Sequence, residues 1–128
     1  MLNQECVRDI LLFVDSNQTF RADGVPVPVK FKCFCEDSEM SQKYSMPEMN
    51  TAVVYLCQKG FLTSDDVIGK TRHIHIQRIT AKGYDYLQII KDDSLWKKLC
   101  AKFGEKFFST SATVAVEAAM KTLFKFLN

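Results

Sequence analysis

The chain has 128 residues, of which 47% are hydrophobic and 12% aromatic, a composition that builds a packed core and excludes a disordered polyelectrolyte. Its formal net charge is only +2, so no global excess marks it for a polyanion. The distribution is uneven: residues 1–94 hold 11 basic and 13 acidic side chains, net −2, while residues 95–128 hold 6 and 2, net +4. No apolar run approaches the roughly 18 residues that a membrane span needs, and no charged segment followed by an apolar one marks a secretory leader. The five cysteines (Cys6, Cys33, Cys35, Cys57, Cys100) are odd in number and mostly sit in apolar patterns. They read as small buried hydrophobes of a reducing, cytoplasmic setting.

The first helix is expected over residues 3–16, capped by Asn3, with Val7, Ile10, Leu11 and Val14 at helical spacing and Cys6 and Phe13 widening the stripe. Asp23-Gly24 signals a turn, and Pro26 and Pro28 hold the next residues extended. Residues 29–35 then alternate, with Phe31, Cys33 and Cys35 on one face and Lys30 and Lys32 on the other; only Phe34 breaks the pattern of a short strand. A brief helical turn is expected near residues 37–42.

The main helix spans residues 45–60. Ser45 and Glu48 have the spacing of a capping box, Pro47 suits the first turn, and Gly60 suits the left-handed position past the last. Met49, Ala52, Val53 and Leu56 share its buried side, leaving Glu48, Asn50, Thr51, Val54, Tyr55, Gln58 and Lys59 toward solvent. Residues 61–67 and 71–79 bracket Gly69-Lys70 as a hairpin, in which Ile74 and Ile76 face the core and His73, His75 and Gln77 face water. Thr80 caps a helix to about residue 91, with Gly83, Leu87 and Ile90 inward. Asp92-Asp93-Ser94 caps another, carrying Leu95, Trp96, Leu99 and Phe103 at helical spacing. The last amphipathic helix covers residues 111–127, with Val116, Met120, Leu123, Phe124 and Leu127 as its stripe.

Helix, hairpin, helix is the skeleton of an α+β winged helix-turn-helix domain, here residues 1–92, followed by a C-terminal helical extension, residues 93–128. The Val-Arg-Asp-Ile-Leu-Leu helix, Tyr44-Ser45 with Glu48, and Gln58-Lys59-Gly60-Phe61-Leu62 come in the order of a known family. Ile79-Thr80-Ala81-Lys82-Gly83-Tyr84-Asp85-Tyr86-Leu87 and Ile90-Lys91-Asp92-Asp93-Ser94-Leu95-Trp96-Lys97-Lys98 complete the set. Over roughly residues 3–105 the chain resembles a family of small bacterial and prophage-encoded winged-helix proteins catalogued as a domain of unknown function. The resemblance implies the fold and a mobile-element setting, and brings no catalytic residue. Residues 25–39 depart from it, reading as strand where the family implies a short helix.

Two functions compete for such a fold. In the first, the main helix enters the major groove of double-stranded DNA, with Asn50, Thr51 and Gln58 at base edges and Lys59 on phosphate, while Lys70, Arg72, His73, His75 and Arg78 on or near the wing meet the backbone. In the second, the same fold is a non-enzymatic protein-interaction module. Its partner-binding residues are Val54 and Tyr55 on the main helix, with Met120, Leu123, Phe124 and Leu127 on the last, which also suits a homodimer better than a membrane surface. Cys33 and Cys35 with His73 and His75 have the residue types of a zinc site, but the alternation turns thiols and imidazoles to opposite faces. Gly69-Lys70-Thr71 ends like a phosphate-binding loop, yet Ser64 stands where that loop needs glycine. The sequence therefore points to no cofactor, no metal and no enzyme.

Overall fold

The computed structural model describes residues 2–64 and 75–103. Its first helix, α1 (Gln4–Asn17), starts where the Asn3 side chain accepts from the Cys6 amide at 3.2 Å. Cys6, Val7, Ile10, Leu11 and Val14 are all buried, so the expected stripe is the packed one. A short arm follows, in which β1 (Thr19–Phe20) pairs antiparallel with β2 (Pro26–Val27). Gly24, at φ +86°, takes the left-handed turn position between them. Phe20, Val25 and Val27 remain exposed on this arm.

The next stretch corrects the sequence reading. Only β3 (Val29–Lys30) is strand, and Phe31 opens a helix, α2 (Phe31–Glu36). Phe34, which spoiled the alternation, completes an i, i+3 pair with Phe31: both are buried, with ring centroids 5.8 Å apart, and Phe34 also meets Phe13 at 5.0 Å. A short apolar run fits either period, and burial of both phenyl rings, Phe34 against Phe13 of α1, decides for the helical one. Cys33 accordingly turns to solvent rather than sharing a face with Phe31, and Cys35 is half-buried. The expected turn near residues 37–42 is α3 (Ser38–Lys43), capped by the Asp37 carboxylate, which accepts from the Met40 amide at 3.0 Å.

Extended Tyr44 leads into α4 (Met46–Gln58). Its capping box is complete: the Ser45 hydroxyl accepts from the Glu48 amide at 3.3 Å, and Glu48 accepts from the Ser45 amide at 3.1 Å. At the other end Gly60 adopts φ +79°, the Gly60 amide donates to Cys57 O, and the Phe61 amide donates to Leu56 O, closing the helix in a Schellman motif. Met49, Ala52, Val53 and Leu56 are buried, and α4 packs chiefly on α1.

Antiparallel β4 (Leu62–Ser64) and β5 (His75–Ile79) follow, so the two arms of the expected hairpin pair as read; its turn, with Ile74, lies outside the described residues. β3 adds to the far side of β5, giving the order β3–β5–β4. A bulge between Thr63 and Ser64 shifts the register, so that Ile76 and Ile79, three residues apart, are both buried.

Thr80 caps α5 (Ala81–Ile90), accepting from the Gly83 amide at 3.0 Å. Gly83 is required here by space: a Cβ would stand 2.6 Å from Ile79 Cγ2 and nearer still to the Phe61 carbonyl oxygen. Asp92 then accepts from the Leu95 amide and starts α6 (Asp93–Phe103), whose Leu95, Trp96 and Leu99 join the same core as α1, α4 and α5. Among the described residues no helix is long and apolar enough to cross a membrane.

Candidate nucleic-acid interface

The exposed side of α4 is set by what its other side buries. Thr51 and Gln58 are exposed and one helical stretch apart, but the Thr51 hydroxyl already donates to Pro47 O at 2.9 Å. Asn50 is only half-exposed, and its Oδ1 is buried with no hydrogen-bond partner among the described residues. Val54 and Tyr55 are half-buried, Tyr55 packs against the core, and burial pushes its phenol up to about 12. The Lys59 ammonium lies over the Tyr55 ring, 5.8 Å from its centroid.

The single cation of this side is offset by acid. Glu48 is held in place by the Asn3 amide at 2.9 Å and by Ser45, contacts that lower its carboxyl below the usual range, the Asn3 bond most. Phosphate neutralisation supplies most non-specific affinity for DNA, and α4 brings little of it.

The outer face of the sheet differs. Lys30 is the direct cross-strand partner of His75, so their side chains share a face, and that face is opposite buried Val29 and Ile76. The bulge puts Arg78 on this outer face as well, because its neighbour Ile79 points to the core. Lys30 and Arg78 are exposed and His75 is half-exposed. The structure thus brings His75 and Arg78, expected near a wing, together with Lys30, which the sequence placed on a different strand with no stated role. Lys30 and His75 are 45 positions apart, and only the pairing of β3 with β5 joins them. Lys70, Arg72 and His73, and the partner-binding Met120, Leu123, Phe124 and Leu127, lie outside the described residues.

A concavity of about 390 Å³ opens between α1, the end of α3 and α6. Its charges are mutually engaged. Lys43 donates to Asp9 at 3.0 Å, a contact that raises the lysine's pKa, and the buried Tyr44 hydroxyl donates to the same carboxylate at 2.6 Å. Arg8 donates to Ile90 O at 2.7 Å and to Asp93, and stacks 5.4 Å from the Trp96 ring centroid. These bonds tie α1 to α3, α5 and α6. Among the thiols, burial pushes Cys6 up to about 12 and raises Cys35, Cys57 and Cys100, which keeps all four protonated and weakly nucleophilic near neutral pH. Among the described residues no cluster of His, Cys, Asp and Glu is arranged to hold a metal ion.

The chain belongs to the family described as Hypothetical protein (DUF2513), whose model covers residues 1–109. No curated protein and no solved structure matches the chain.

Proposed function

We propose that the chain is a winged-helix module that binds double-stranded DNA. The observation that carries this reading is topological: a first helix, a strand, short helices, a doubly capped α4, two further strands that give the sheet the order β3–β5–β4, and a closing helix. Such an order is the one expected of a winged helix-turn-helix, in which α3 and α4, joined through Tyr44 and Ser45, would form the helical pair. The cationic outer face of the sheet supplies a charge suited to phosphate. A cytoplasmic, prophage-type regulator that pairs through residues 111–127 belongs to the same reading.

The test is fluorescence anisotropy with a labelled random-sequence duplex. Affinity is expected to fall steeply between about 50 and 200 mM salt, because each neutralised phosphate releases counterions. Absence of duplex binding at the lower salt refutes the reading. It would favour the second one, a protein-interaction module, for which the exposed Met46 and half-buried Val54 on α4 speak.

A further inference from the structure

We propose that the outer face of the β3–β5–β4 sheet, rather than α4, is the surface on which the phosphate backbone of the duplex docks; this rests on the DNA-binding reading above. Charge complementarity commits the face to that occupant. Lys30 and Arg78 are exposed there, and among the described residues neither has an acidic partner. Lys32, one residue into α2, is also exposed and shares its charge with Glu36 at 3.4 Å.

Position supports the same assignment. His75 and Arg78 lie three residues apart on the central strand, about 10 Å, which is the axial rise of some three phosphates along one duplex strand. Lys30 stands beside His75 on the adjoining strand, so the two cations Lys30 and Arg78 are offset both along the sheet and across it. A pleated strand pair also offers a firmer platform than a loop, since its backbone is fixed by ladder bonds on both sides of β5.

On α4, by contrast, two of the three side chains suited to base edges are engaged or withdrawn, leaving only Gln58 exposed. The Thr51 hydroxyl serves its own helix, Asn50 is partly sunk, and Glu48 repels the backbone that would have to approach. Binding through the sheet is therefore expected to depend on duplex charge and shape and little on sequence.

The experiment compares two sets of variants by duplex anisotropy at several salt concentrations, with circular dichroism to verify folding. Lys30→Glu with Arg78→Glu is expected to lower affinity by at least about tenfold and to flatten the log–log salt slope by about 2, one unit for each phosphate contact removed. The milder pair Lys30→Gln with Arg78→Gln flattens it in the same sense and serves should charge reversal disturb the fold. Thr51→Ala with Gln58→Ala is expected to stay within about twofold on any sequence, because no base contact is lost. If the α4 pair weakens binding and both sheet pairs leave it intact, the docking face is overturned while DNA binding stands. If the unaltered protein binds no duplex, both fall together.

Discussion

Gly83 shows how much a single residue decides. Placing a methyl group there drives it into the Phe61 carbonyl and Ile79, and neither backbone nor strand side chain has room to yield. Gly83→Ala is therefore expected to cost about 1–3 kcal/mol, read as a lower urea midpoint at unchanged slope. Ser45→Ala, which removes one half of the capping box, should cost about 1 kcal/mol in the same assay. Glu48 links this cap to pH. Its carboxyl is held low by the Asn3 amide and then by Ser45, so the ionised form favours the folded state. That contribution is complete above the unfolded-state value, near about 4.3, and disappears as pH falls through the lower folded value. Urea midpoints measured from pH 7 down to pH 3 should drop more steeply for the natural protein than for Glu48→Gln, which has no proton to take up.

At the level of elements, α2 separates what the sequence displayed from what it concealed. The caps of α1, α4, α5 and α6 were legible because Asn3, Ser45 with Glu48, Thr80 and Asp92 each act within three residues of themselves. The six residues of α2 have no such signal: their polar–apolar alternation fits a strand, and the choice depends on Phe13, twenty-one positions before the Phe34 it packs on. Likewise the joining of Lys30 to His75 is invisible until β3 finds β5. The helical assignment makes a chemical prediction. Alkylation of the native protein should modify Cys33 first and Cys6 last, since one is exposed and the other fully buried. A strand would have sunk Cys33 beside Phe31, so slow labelling of Cys33 contradicts the helix. Phe34→Ala should cost about 3–5 kcal/mol, the range for emptying a buried phenyl site.

Across the whole molecule, α6 is fastened to the rest through Arg8. The guanidinium is largely shielded and serves the Ile90 carbonyl, whereas Asp93 is mostly in water. Asp93→Ala is thus expected to cost less than about 1 kcal/mol, and Arg8→Ala about 2, because it leaves a carbonyl without its charged donor. Trp96, the chain's single tryptophan, sits in this joint. Its fluorescence should change at the same urea concentration as the far-ultraviolet dichroism, and an earlier fluorescence transition would mean that α6 detaches by itself. The displaced register in the sheet has a last corollary. Removing Gln77 would restore an even two-residue rhythm through β5, leaving Ile76 and Ile79 two positions apart and both still inward, with Arg78 between them on the outer face. A shortened chain of 127 residues should therefore stay soluble with the dichroism of the natural protein, and an insoluble product would show that the extra residue itself is needed.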